Sequence, residues 1–249
     1  MSTFPPVSYQ RNAVSPVECL KGGWNLIKGQ YWLVFAMCLV SWLIGSAIPM
    51  GILMGPMMCG LFLTLFKIRR SEPFEFGTLF KGFDYFGPSV VATLLHVIPI
   101  LAIVIPAYIF FYLFFVVAMV AQGGSEPNPV AMLAIFAVLV LFWLVVIGVV
   151  MVISIGFIFV YPLIVDRRMQ GFDAVKLSFK AAMANFWRLL GLMALNFLVS
   201  LGGLLLCVFG VYFVIPVTYA ASAIAYEQVF GLSDGTDFTN APPPPPVFN

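Results

Sequence analysis

Charge is what this chain of 249 residues has least of. Twelve Lys or Arg and ten Asp or Glu make up 9% of it, against 62% hydrophobic residues and a mean hydropathy of +1.06. Soluble domains carry roughly 25% charged residues. So little charge cannot cover the outside of a water-soluble core of this size, whereas lipid tolerates an apolar outer surface. Histidine is nearly absent, with His96 alone. Cysteine is sparse: Cys19, Cys38, Cys59 and Cys207 form no CxxC, so neither a zinc site nor a redox pair is signalled, and the last three lie in apolar runs as small buried hydrophobes. A net charge of +2 with no basic, aromatic-interleaved run gives nucleic acid no footprint. The N-terminus MSTFPPVSYQRNAVSP lacks a short apolar core with a small-residue cleavage site, so no cleaved signal peptide is expected.

Long uncharged runs are what the chain does have: Gln30–Phe66, Gly87–Gln122, Pro127–Val165 and Leu189–Tyr226. Each is nearly twice the ~20 residues that one spanning helix needs. The first breaks at SAIPMG and the last at Gly202, Gly203 and Gly210, because glycine lacks the Cβ restraint and proline lacks an N–H. Both therefore read as helical hairpins, Tyr31–Ala47 with Met50–Ile68 and Arg188–Leu206 with Val211–Phe230. Each middle run reads as one long helix, although Pro99 and Pro106 leave a pair of short helices as the alternative. Six spans result, with eight as the alternative.

Basic residues set the sidedness. With six spans and the N-terminus inside, the inner segments 1–30, 67–86, 166–188 and 227–249 hold all 12 Lys and Arg, and the only outer charge is Glu126. The positive-inside rule then puts both termini in the cytoplasm.

Amphipathic phrases precede the runs. Val17, Leu20, Trp24, Ile27 and Tyr31 recur at helical spacing, with Glu18, Lys21, Asn25 and Lys28 on the other side. Phe172, Val175, Phe179, Ala182 and Phe186 repeat the stripe, with Asp173, Lys176 and Lys180 opposite. A shift of 155 residues overlays the two copies, matching Lys21 with Lys176 and Trp32 with Trp187; after a five-residue gap Pro56 matches Pro216. A shorter third copy places Phe76, Leu79, Phe80 and Phe83 against Lys81 and Asp84. Such helices are expected to lie in the cytoplasmic headgroup region, rings down and lysines toward anionic lipid. The fold expected is thus all-α integral membrane: six transmembrane helices, cytoplasmic-side interfacial amphipathic helices and a weak parallel internal repeat. Its parts are a flexible N-terminus (1–15), a membrane domain (16–232; repeat halves 16–70 and 171–230, central hairpin 87–165) and a disordered, proline-rich tail (233–249) ending in Pro242–Pro246.

The stretches DAVKLSFKAAMANFWRLLGL and FVIPVTYAASAIAYEQV, with SEPFEFGTLFKGFDYFGPSVV between the first and last hairpins, resemble a group of bacterial multi-pass membrane proteins of unknown function. That group is similar to the membrane domain of some glycerophosphodiester phosphodiesterases. The resemblance covers roughly residues 15–232, implies a six-helix membrane fold in the bacterial inner (plasma) membrane, and carries no catalytic residue to this chain.

Candidate contacts for lipid or other phosphate are Arg69, Arg70, Arg167 and Arg168, which flank the runs, and Lys21, Lys28, Lys176 and Lys180 on the amphipathic phrases. His96 and Asn196 are the polar candidates within the runs. No nucleophile–base pair, metal-ligand cluster or phosphate loop is visible, so the sequence points to no catalytic residue, metal or cofactor and to a non-enzyme. The function expected is to organise or sense lipid or partner proteins at the cytoplasmic interface. The partners expected are the bilayer, its anionic headgroups and a membrane or cytoplasmic protein. The alternative is a transporter or channel for a small solute or lipid.

Overall fold

The computed structural model describes residues 8–47, 51–120, 129–206 and 210–233. Among them every regular element is a helix. They are α1 (Pro16–Ile27), a short 3-10 turn (Lys28–Gln30), α2 (Tyr31–Ser46), α3 (Met54–Arg69), a longer 3-10 segment (Phe76–Tyr85; the 3-10 segment below), α4 (Phe86–Val120), α5 (Pro129–Gly156), α6 (Val160–Arg167), α7 (Gly171–Ala184), α8 (Phe186–Leu206) and α9 (Gly210–Phe230). Pro16 opens α1 at the first helical position, where its missing N–H costs nothing. Pro99 and Pro106 both sit inside α4, which stays one helix of 35 residues, so this run does not split into a pair. The helix from Pro129 ends at Gly156, and α6 resumes after a turn.

Among the described residues, five segments are long and apolar enough to cross a membrane: Pro16–Ser46, Phe76–Val120, Met132–Arg167, Phe186–Leu205 and Gly210–Phe230. This is a multi-pass helical membrane protein. The segment expected to be the second span is α3, whose 16 residues reach roughly 24 Å at ~1.5 Å each, short of the ~30 Å hydrocarbon core. It is largely enclosed: Gly55 through Phe66 are buried apart from Leu63.

Three antiparallel hairpins, α2–α3, α4–α5/α6 and α8–α9, bring their return helices α3, α6 and α9 together. Phe66 of α3 and Phe159, next to α6, both pack on Tyr226 of α9, with ring centroids 5.5 and 6.3 Å away. The segment before each hairpin packs on a return helix. The helix α1 runs antiparallel along α9, where Gly22 meets Ile224 and Cys19 reaches Gln228. A Cβ on Gly23 would stand 2.6 Å from the Ala221 nitrogen, so only glycine permits this approach. The 3-10 segment lies on α3, and a Cβ on Gly82 would overlap the Pro56 carbonyl and the Gly60 nitrogen. The third, α7, closes on the α5–α6 turn: Ser178 donates to the Gly156 carbonyl at 2.6 Å and accepts from the Phe159 N–H at 3.3 Å.

The packed face of α1 differs from the one its large apolar residues suggest. Val17 and Trp24 are exposed, and Cys19, Gly23 and Ile27 form the buried line. Small residues win the interface because they let backbones approach closely, and the rings are left outward. The helix is therefore partnered along its length rather than lying alone on a surface.

Candidate functional site

The C-terminal ends of α3, α6 and α9 converge on one carboxylate. Asp166, near the end of α6, has a side chain shut off from solvent. Its Oδ2 accepts from the Tyr226 hydroxyl at 2.8 Å; its Oδ1 accepts from Arg70 Nη2 at 2.9 Å and from the Ser233 hydroxyl at 2.8 Å. The Ser233 N–H adds a bond of 3.3 Å to each oxygen. Arg167 Nε stands 3.2 Å from Oδ2 as an ion pair, misaligned for a hydrogen bond, while its Nη2 donates to the Phe230 and Gly231 carbonyls. These are the orphan acceptors at the end of α9. An isolated buried carboxylate would be very costly; this one is matched by two guanidiniums and three neutral donors.

Beside it, Arg69 grips Glu227 with two hydrogen bonds of 2.8 and 2.9 Å. That carboxylate raises the Arg69 pKa further above its ordinary value. All four arginines expected to meet phosphate have partners within the protein. Arg168 takes the left-handed conformation (φ 49°) that ends α6, and its guanidinium reaches the Tyr85 hydroxyl.

A cavity of about 170 Å³ opens at this junction. It is lined by the apolar Leu63, Phe66 and Val165 and by the polar Arg70, Glu72, Tyr85, Asp166 and Arg168. It sits between α3, the 3-10 segment and α6.

The four candidate lysines stand elsewhere. Lys21 and Lys28 on and just after α1, and Lys176 and Lys180 on α7, are all exposed, and Lys176 Nζ lies 4.3 Å above the Phe172 ring. Exposed rings accompany them: Trp24, Phe172 and, at 79% exposure, Trp187. The 3-10 segment does the same with Phe80, Phe83 and Lys81.

His96 stacks on Phe157 (4.4 Å, 15°), with Nε2 lacking a hydrogen-bond partner. Asn196, on α8, has an unpartnered Oδ1. Among the described residues no cluster of three His, Cys, Asp or Glu could hold a metal ion. Cys207 and Pro242–Pro246 lie outside the described residues.

Asp166 as the hub of three helix ends was not legible from local pattern. The signal was only that it is an acidic residue directly preceding two arginines at the end of an uncharged run.

Fold and rim define a multi-pass helical membrane protein with a charged, cavity-bearing junction where three helices end. No protein-family model, no curated protein and no solved structure matches this chain.

Proposed function

We propose that this is a non-enzymatic inner-membrane protein that organises or senses lipid at the cytoplasmic interface. The observation that carries this reading is the pairing of exposed rings with exposed lysines on α1, the 3-10 segment and α7. In water, so many outward rings would be an aggregation hazard. At headgroup depth, rings sit among the glycerols and lysines extend to phosphate.

The packing supports a common plan for this layer. Each hairpin is led in by a segment that rests on a return helix: α1 on α9, the 3-10 segment on α3 and α7 on α6. Helix starts support an internal repeat, since α7 begins at Gly171 against Pro16 for α1 and α8 at Phe186 against Tyr31 for α2, both 155 residues on. Gly60, which meets Gly82, and Ala220, which meets Gly23, stand 160 apart, the register that aligns Pro56 with Pro216. The proposal includes six crossings or partial crossings that leave both termini in the cytoplasm, in the bacterial inner membrane. The resemblance to phosphodiesterase membrane domains belongs to the same proposal and rests on residue pattern alone.

Native mass spectrometry of protein released from native membrane discs tests the function. Co-released anionic lipid, lost when Lys21, Lys28, Lys176 and Lys180 are all changed to Glu, is the expected result; unchanged lipid in that variant overturns it.

A second reading, passage of a small solute, is motivated by the unpartnered His96 Nε2 and Asn196 Oδ1. Solute flux in proteoliposomes that His96→Leu abolishes would support it, and vesicles that stay sealed across a broad solute panel would count against it.

A further inference from the structure

The three hairpins differ in length more than one flat bilayer accommodates. The helix α2 has 16 residues, about 24 Å at ~1.5 Å each, and Lys28 stands shortly before it. The helix α4 has 35 residues, about 52 Å, and α5 has 28, about 42 Å. Neither long helix holds a Lys, Arg, Asp or Glu. Only α8 and α9, at 21 residues each or about 31 Å, match the ~30 Å hydrocarbon core. Tilt does not remove the excess: about 20°, the average, leaves α5 near 40 Å along the membrane normal, and about 40°, the extreme, leaves α4 near 40 Å.

Which sides are exposed says what covers the long hairpin. Toward the end of α4, Tyr112, Leu113, Phe115, Val116 and Val117 are all exposed. At about 100° per residue they spread over more than half the circumference. On α5, Leu139 and Val146 are buried, while Leu141, Leu144 and Val145 are exposed. A docked protein, or a second copy, would cover one stripe. A helix apolar on every outward side suits acyl chains.

We propose that the protein senses bilayer thickness. The α4–α5 hairpin gathers long-chain lipid, and the α2 face, where Trp42 and Leu43 are exposed, gathers short-chain lipid. A helix longer or shorter than the local hydrocarbon core sorts by that mismatch. This deepens the lipid-sensing reading above, extending it from headgroup to chain, and it stands on helix length rather than on the lysines.

The test uses the full-length protein in equal mixtures of two phosphatidylcholines, with chains of about 22 and about 14 carbons, one of them brominated in each run. Brominated chains quench nearby tryptophan. Variants keeping only Trp143, on α5, or only Trp42, on α2, therefore report the lipid beside each hairpin. Trp143 is expected to favour the long-chain lipid about threefold or more, and Trp42 to favour the short-chain lipid. The same preference at both positions overturns the proposal.

Deleting residues 114–120 and 133–139 removes one heptad from each arm, about 10 Å, and should bring the preference at Trp143 to near parity. A thermal midpoint in detergent checks that this variant folds; an unchanged preference in the folded variant overturns the proposal. The contrast between Trp143 and Trp42 does not depend on the deletion. With Cys207 replaced by Ser, Phe136→Cys should resist an impermeant maleimide and form no disulfide between copies. Labelling would place the hairpin end in water, and a disulfide would make it an interface between copies; either result overturns the proposal. Both lipids share one headgroup, so failure here is distinct from unchanged anionic lipid in the four-lysine variant.

Discussion

The Tyr226 hydroxyl donates to Asp166 Oδ2 at 2.8 Å, tying α9 to the end of α6 with both side chains buried. Arg70 of α3 completes the triangle at 2.9 Å. Removing the carboxylate would leave Arg70 and Tyr226 facing each other without their acceptor. Asp166→Ala is therefore expected to cost about 3–5 kcal/mol, the usual penalty for breaking a buried pair. Arg69→Ala removes a pair that is largely solvated and should cost only about 0–1 kcal/mol. Unfolding midpoints in detergent check the contrast; equal losses would contradict it.

Glycine positions provide a second contrast. Gly82→Ala places a methyl against the Pro56 carbonyl and Gly60 backbone, so overpacking of about 1–3 kcal/mol or more is expected. Gly87→Ala meets nothing within 4 Å and should be neutral or stabilising by up to about 1 kcal/mol through helix propensity. The same unfolding measurement reads both.

Ser178→Ala strands the Gly156 carbonyl and the Phe159 N–H at the α5–α6 turn. The expected loss is about 1–3 kcal/mol. Amide exchange should rise at residues 156–160 before it rises in α9; uniform exchange would contradict a local role.

Sidedness is testable with thiols. Cys19, Cys38 and Cys59 are buried and should label slowly in the folded protein. With Cys207 replaced by Ser, new cysteines at Lys81 and Lys180 should react with an impermeant maleimide only in inside-out vesicles. Labelling in right-side-out vesicles would reverse the topology.

The sequence made the helices largely legible because hydrophobic periodicity and Gly/Pro breaks are local. The starts of α1, α2, α7 and α8 follow from the repeated phrases. The α5–α6 turn was not legible: nothing before Pro162 breaks the run strongly, and the turn depends on Ser178, 22 residues away along the chain. The contact of α1 with α9 was not legible for a related reason. Hydrophobicity ranks Trp24 above Gly23, but contact with α9 selects for smallness. At the rim, arginines that looked available for phosphate are spent on Asp166 and Glu227, 96 and 158 residues distant. Pairings of that range leave no mark on local pattern. The cavity carrying Glu72 and Arg168 arises only when three chain segments meet.

Depth in the bilayer tests the interfacial claim most directly. The chain has five tryptophans, and variants retaining only Trp24, only Trp187 or only Trp143 can be reconstituted with lipids carrying a quencher at the headgroup or at the chain end. Trp143 packs on Tyr108 and Phe111 within the α4–α5 hairpin and serves as the deep reference. Trp24 and Trp187 should be quenched best by the headgroup label, and Trp143 by the chain-end label. Quenching of Trp24 and Trp187 by aqueous acrylamide alone, or best by the chain-end label, would contradict an interfacial layer.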